Sequence, residues 1–208
     1  MDETENIRGG QEEVKTDGIL KLGGTLFIVT LIAAVALAKI NSITRPKIEE
    51  QERLEKQQAI KSVMPDAVVF VRREAENGKE YYEAYKNPDT TVSLGYVTTA
   101  YGSGFSSTVR TVVGVDKNGS IRGIKVVYQQ ETPGLGTHSQ DDWFQKQFRG
   151  LTPDELLVNK DGGKIKAITG ATITSRAVTN SIKSSLNELF SYLPPLGTEK
   201  DSLSEGEN

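Results

Sequence analysis

TVRTVVGVDKNGSIRGIKVVYQ, residues 108–129, carries two runs rich in β-branched residues, Thr108–Val115 and Ile121–Gln129, on either side of Asn118-Gly119. Asn-Gly supplies the positive φ angles of a tight hairpin turn, so the segment predicts two antiparallel strands. Upstream, Val68–Arg72, Tyr81–Tyr85 and Val92–Ala100 have the same β-branched and aromatic character and predict three more strands. Downstream, Asp141 to Phe148 has an amphipathic helical pattern with Trp143, Phe144 and Phe148 on its apolar side, and Asp141 and Asp142 at its start. Ile165–Ile168 reads as a short strand. Thr174 or Ser175 can cap a longer helix to about Leu193, with Ala177, Val178, Ile182, Leu186, Leu189 and Phe190 as its buried stripe; Pro194-Pro195 then stops it. The whole predicts one α+β domain over residues 65–193, a mainly antiparallel sheet with flanking helices.

Ahead of that domain, Leu22 to Ala38 runs LGGTLFIVTLIAAVALA without a charge, bracketed by Lys21 and Lys39. At helical rise the run spans about 26 Å, and snorkelling lysines extend its reach, so a transmembrane helix over residues 19–40 is expected. Ala36-Leu37-Ala38 resembles a signal-peptide cleavage site, but the preceding region is long and acidic, which favours an uncleaved anchor. Residues 1–18 and 194–208 are expected to be disordered tails. Pro46 is suited to start a separate connecting helix within residues 41–64, charge-rich and solvated. Lys39, Arg45, Lys47, Arg53 and Lys56 outnumber Arg8, Lys15 and Lys21, so the positive-inside rule taken alone keeps the C-terminal domain cytoplasmic.

Composition removes several kinds of chemistry. With 25 Lys+Arg against 28 Asp+Glu, and no basic stripe interleaved with aromatics, a nucleic-acid partner is not expected. No cysteine is present, which excludes disulfides, thiolate metal sites and thiol nucleophiles; the single histidine, His138, excludes a multi-histidine centre. His138 reads as a surface residue without a relay partner. Neither a nucleophile elbow nor a dinucleotide fingerprint occurs. Redox chemistry in this chain therefore needs an organic cofactor.

Two stretches can hold one. Thr169-Gly170-Ala171-Thr172-Ile173-Thr174-Ser175 lies where the chain enters the last helix, with a glycine for close approach, four hydroxyls and a helix N-terminus suited to phosphate. Read by itself it is more simply an ordinary hydroxyl-rich helix cap. Glu131-Thr132-Pro133-Gly134-Leu135-Gly136 is a turn, or a rigid loop whose backbone closes over a flat ligand.

The pair, ETPGLG followed by TGATITS, resembles the FMN-binding domain of the G subunit of the Rnf complex and of the related C subunit of the sodium-translocating NADH:quinone reductase. Val113-Gly114-Val115-Asp116, Gly119-Ser120-Ile121, Gly123-Ile124 and Phe144 to Phe148 extend the match, which runs from Leu22 to Leu193 and fits the shorter Rnf protein better. The resemblance implies a membrane-anchored electron-transfer subunit with no complete activity alone, in a ferredoxin:NAD⁺ oxidoreductase that couples electron flow to Na⁺ or H⁺ translocation. It implies FMN esterified to Thr172 by a flavin transferase, with Thr169, Gly170, Ala171, Thr174 and Ser175 around the phosphate. Glu131, Thr132, Gly134, Leu135 and Gly136 border the ring system, and no catalytic group beyond the cofactor and no metal is implied. It places the domain on the extracytoplasmic side of the inner membrane, beside the other subunits, against the positive-inside count. The family's acceptor motif has aspartate six residues before the threonine, where this chain has Lys166; Asp161 is near in sequence but displaced. A membrane-tethered binding module without a redox role, or the quinone-reductase subunit itself, are the alternative readings.

Overall fold

The computed structural model describes residues 16–75 and 78–193, so residues 1–15 of the expected first tail and all of the second, 194–208, lie outside the described residues. The chain divides between Glu52 and Arg53 into two compact units. Helix α1, Thr16–Val63, begins within what was expected to be the first tail and includes one stretch long and apolar enough to cross a membrane. Along that stretch Leu22, Leu26, Phe27, Ile28, Ile32, Val35 and Leu37 are all exposed, as a helix facing lipid would be. Thr25 and Thr30 return their hydroxyls to the carbonyls of Lys21, Leu26 and Phe27, so neither leaves a donor unmade in an apolar setting. The expectation of a separate helix starting at Pro46 is not met, because Pro46 lies inside α1. A proline removes one N–H from the helix ladder, and the run that follows it, residues 47–56, is rich in the good helix formers Glu, Lys, Gln, Arg and Leu.

The second unit is built on a five-stranded antiparallel sheet in the order β1-β2-β3-β4-β5: β1 Val69–Glu74, β2 Glu80–Tyr85, β3 Ser93–Ser103, β4 Thr108–Asp116 and β5 Ile121–Tyr128. Asn118-Gly119 makes the β4–β5 turn, with Gly119 at φ 82 and the Asp116 carboxylate accepting from the N–H groups of Asn118 and Ser120. Alternation along β4 sends Val109, Thr111, Val113 and Val115 to one face and Val112 and Gly114 to the other. Both faces are covered. On one, Ala59, Ile60 and Val63 at the end of α1, with Met64, pack on Ala84, Val97 and Val112. Gly114 and Gly123 are register partners there, and a side chain on Gly114 would come within 2.8 Å of Met64 Cγ and 3.0 Å of the Val63 carbonyl oxygen. The end of α1 is therefore part of the core and not solvated as its charge pattern suggests.

On the other face lies α3, Thr172–Tyr192, whose Val178, Ile182, Leu186 and Leu189 meet Ala100, Val113, Phe144 and Phe148. Gly102 of β3 lets that helix approach, since a Cβ there would sit 2.3 Å from the Ala177 carbonyl oxygen. Between β5 and α3 the chain forms a 3-10 turn at Gly136–Gln140, the short helix α2 at Asp142–Gln145 with Asp141 as its N-cap, and further single turns. Two expectations fail here. Ile165–Ile168 is no strand: Ile165 makes an isolated bridge with Val158 and the rest is irregular. Its backbone N–H groups bond to Leu157, Asn159, Gln147 and Ser175, none of which lies in a strand, so apolar β-branched character gives it burial without a ladder. Trp143 is 45% exposed, outside the core, because a four-residue helix buries only one side, and Phe144 and Gln145 occupy it.

Candidate functional site

The site grows from the start of α3. Its N-cap position is Ala171, which offers no side-chain acceptor, so no cap closes the leading N–H groups of the helix. Gly170, at φ 76, makes the turn into it. Of the four hydroxyls grouped by sequence, two turn inward. Ser175 is fully buried, donates to the Ala171 carbonyl at 2.9 Å and accepts from the Ile168 N–H at 2.9 Å. Thr174 is 1% exposed and donates to Glu131 Oε2 at 2.5 Å. Helix α3 starts at Thr172, so these two sit within its first turn instead of capping it, and their hydroxyls are taken up by the protein. Thr172 is half-buried, and its hydroxyl makes no hydrogen bond to the described residues; Thr169 and Gly170 are exposed.

The Glu131–Gly136 loop packs on this turn. Leu135 lies over Gly170, where a Cβ would be 2.9 Å from Leu135 Cδ2. Thr132, Pro133, Gly134 and Leu135 stay exposed, whereas Glu131 and Gly136 are buried. Glu131 turns its carboxylate into the protein. Its Oε2 accepts from the Phe105 N–H at 3.0 Å and from Thr174, and its Oε1 accepts from the N–H groups of Ser106 and Ser107, each at 3.0 Å. Burial alone would raise this carboxyl; the Thr174 hydroxyl and the N–H groups of Ser106, Phe105 and Ser107 outweigh that and hold it below the usual carboxylate range. Gly104 and Gly136 make room for it, since a Cβ on either would fall 2.5 Å from Glu131 Oε1 or 2.6 Å from Glu131 Cβ.

Sequence reasoning missed the Gly104–Ser107 turn. Its cue is the run Gly102-Ser-Gly-Phe-Ser-Ser107 between two strands, small residues that suit a tight turn with free N–H groups. It also missed the ion pair between Arg176, on the second turn of α3, and Asp161, with Nε–Oδ2 at 2.8 Å and Nη2–Oδ1 at 2.5 Å. The Arg176 guanidinium holds the Asp161 carboxyl below its ordinary value. Lys166 is exposed, with its backbone clasped by the Gln147 side chain through bonds of 2.8 and 3.3 Å. His138 is on the surface, but not without a partner: Asp141 Oδ2 lies 2.7 Å from its Nδ1 and accepts from the Trp143 indole at 3.2 Å.

Beside Ile173 a groove of about 760 Å³ opens between α3 and the sheet, lined by Tyr81, Tyr101, Gly102, Ser103, Arg176 and Tyr192 among others. That size suits a small organic molecule. The local donor set suits a flavin phosphate: an uncapped helix start, an unbonded hydroxyl, an exposed glycine turn, and a roomy groove one residue on.

Comparison with known proteins agrees with this. The family described as FMN-binding domain matches residues 104–187, and the one described as RnfG N-terminal region matches residues 16–63. The chain is 34% identical over 197 residues to the G subunit of the Na(+)-translocating ferredoxin:NAD(+) oxidoreductase complex of Acetobacterium woodii, covering 85% of this chain and 95% of that one. It is 33% identical over 186 residues to the G subunit of the ion-translocating oxidoreductase complex of Erwinia tasmaniensis, covering 80% and 88%. Among solved structures, NqrC from Shewanella oneidensis aligns with a TM-score of 0.44 at 18% identity, over 62% of this chain and 74% of that one. The chain therefore belongs to the RnfG family, an electron-transport family of the Rnf-type ion-translocating oxidoreductase complexes, and carries that family's FMN-binding domain.

Proposed function

We propose that this chain is a membrane-anchored electron carrier with FMN held covalently on Thr172, serving a ferredoxin:NAD⁺ oxidoreductase that couples electron flow to Na⁺ or H⁺ movement. One observation carries the choice of residue: within the first turn of α3 the hydroxyls of Thr174 and Ser175 are buried and bonded, while Thr172 is only half-buried and its hydroxyl makes no hydrogen bond to the described residues. Thr169 is exposed as well but precedes Gly170, outside the helix. Esterification needs an activated donor, a flavin diphosphate ester such as flavin adenine dinucleotide. The bond from Thr172 Oγ1 to phosphorus forms, the diphosphate P–O bond breaks, AMP leaves with the electron pair, and the hydroxyl proton passes to base. A flavin transferase is the agent of that step.

Once attached, FMN supplies reversible electron transfer at its ring system. The residues of the chain hold it. The leading N–H groups of α3 and the positive end of its dipole favour the single negative charge of the phosphodiester. Thr169 and Gly170 leave the approach open, and Ala171 has no bulky side chain to block it. Thr132, Gly134 and Leu135 form the exposed rim on one side, with the groove at Ile173 on the other. A covalent link keeps the cofactor on a domain whose site is open to solvent.

The exposed apolar stretch of α1 supports a single-pass anchor. We assign the domain to the extracytoplasmic side of the inner membrane, where the family's flavinylated domain and its transferase act, and the remaining subunits of the complex are its electron-transfer partners. The test is intact mass of the native protein, expected to exceed the polypeptide by one FMN residue, with peptide mapping to Thr172. A protein of unmodified mass sinks the covalent reading. Protease added to intact cells is expected to digest residues 65–193; full protection there reverses the sidedness.

A further inference from the structure

Glu131 is a buried carboxylate that forms no ion pair with the described residues, and five donors converge on it: the N–H groups of Phe105, Ser106 and Ser107 and the hydroxyls of Ser107 and Thr174. Only an acceptor-only group can satisfy them together. Successive residues of an α-helix are about 100° apart around the axis, so two residues separated by one are about 200° apart. Drawing Thr174 onto a fixed inward point therefore sends Thr172 to the opposite side of the helix. Glu131 is such a point, because the Gly104–Ser107 turn grips it from the far side.

We propose that Glu131 is the positioning residue of the attachment site: by holding Thr174 inward against the Gly104–Ser107 turn, it fixes the rotational phase of the first turn of α3 and presents Thr172 outward for esterification. Glu131 touches neither the flavin nor the reacting atoms in this role; it acts through Thr174. The proposal rests on the reading of Thr172 as the attachment residue.

The experiment uses the full chain in detergent with purified flavin transferase and flavin adenine dinucleotide. It follows the covalently modified fraction against time by intact mass, and the modified residue by peptide mapping. Wild type, Thr174→Ser, Thr174→Val and Glu131→Gln are compared, with thermal melts and hydrogen exchange at residues 104–107. Thr174→Val keeps the shape but cannot donate; it is expected to be modified at least tenfold more slowly, with a cooperative melt and unchanged exchange at 104–107. Thr174→Ser restores the hydroxyl and is expected within about twofold of wild type. In Glu131→Gln the amide group faces at least one backbone N–H as donor against donor; slower modification together with faster exchange at 104–107 is expected. Thr174→Val modified at the wild-type rate overturns the proposal, as does slow modification that comes only with loss of the cooperative melt. If Glu131→Gln fails to fold, the Thr174 pair decides alone. If wild type takes no flavin on Thr172, the attachment reading itself fails and the proposal falls with it, a result distinct from a fast Thr174→Val.

Discussion

Thr174 Oγ1 and Glu131 Oε2 lie 2.5 Å apart, a buried hydrogen bond between residues 43 positions apart in the chain. It joins the ETPGLG loop to the helix that carries the candidate attachment residue, and it sets an acid dependence. The Glu131 carboxyl is held below the usual carboxylate range in the folded protein. Its stabilising contribution is therefore complete above the unfolded value, near 4.3, and is lost as pH falls through the lower folded value. Glu131→Gln lacks that contribution and leaves a buried donor unsatisfied, at a cost of about 1–3 kcal/mol. Urea unfolding should show a constant gap between the two proteins from about pH 5 to 7 that narrows in stronger acid. A gap that widens below pH 4 contradicts the assignment.

Thr172→Ala should abolish covalent flavin and leave the domain folded. The Thr172 hydroxyl makes no hydrogen bond to the described residues and the side chain is half-buried. Stability should change by no more than about 1 kcal/mol, with alanine's helix propensity offsetting lost contacts. In-gel flavin fluorescence after denaturation, beside a thermal melt, measures both. Fluorescence that survives the substitution means another residue is the acceptor.

Gly136→Ala should cost more stability than Gly170→Ala. A methyl at 136 would meet Glu131 Cβ at 2.6 Å and Thr174 Oγ1 at 2.8 Å, both in the interior, so overpacking of about 1–3 kcal/mol is expected. At 170 the close atom is the end of the Leu135 side chain, 2.9 Å away, which can swing out. The cost there is mainly that of φ 76 in a residue with a Cβ, about 1–2 kcal/mol. Denaturant midpoints of the two variants give the order directly.

Lys166→Asp should raise the rate of flavin attachment without changing the melt. The Lys166 side chain is exposed, and Gln147 holds only its backbone, so exchange of the side chain disturbs no packing. The aspartate restores the residue that the resemblance places six positions before the acceptor. An unchanged rate with purified transferase shows that Lys166 does not limit recognition.

Gly114→Leu should weaken the seat of the α1 end on the sheet. Gly114 lies 2.8 Å from Met64 Cγ and 3.0 Å from the Val63 carbonyl oxygen when a Cβ is added. A larger side chain must push the helix end away from Val97 and Val112, and faster proteolysis near residues 59–64 is the expected readout. Unchanged protection there argues that the sheet can flex to accept it.

The strands from Val69 to Tyr128 were legible because alternation of β-branched and polar residues is a local property, as is the Asn118-Gly119 turn between β4 and β5. The apolar stripe of α3 was legible for the same reason, and so was the membrane-length run of α1. The ETPGLG and TGATITS segments announced a site by composition, yet composition did not say which side chains face a ligand. Thr172, Thr174 and Ser175 differ little as residues. Two of them are drawn inside, Thr174 by Glu131, 43 positions away in the chain, and Ser175 by the Ile168 backbone, a loop the fold turns back onto the helix start. Glu131 itself is turned inward by N–H groups 24 to 26 residues before it. Ile165–Ile168 has strand composition but no neighbouring strand to pair with, and Trp143 has core composition but no interior space left beside Phe144 and Phe148. Local periodicity comes from the backbone repeat and needs only near neighbours. The direction of a polar side chain depends on which distant donor or acceptor the fold brings within about 3 Å, and that is decided only when the tertiary structure closes.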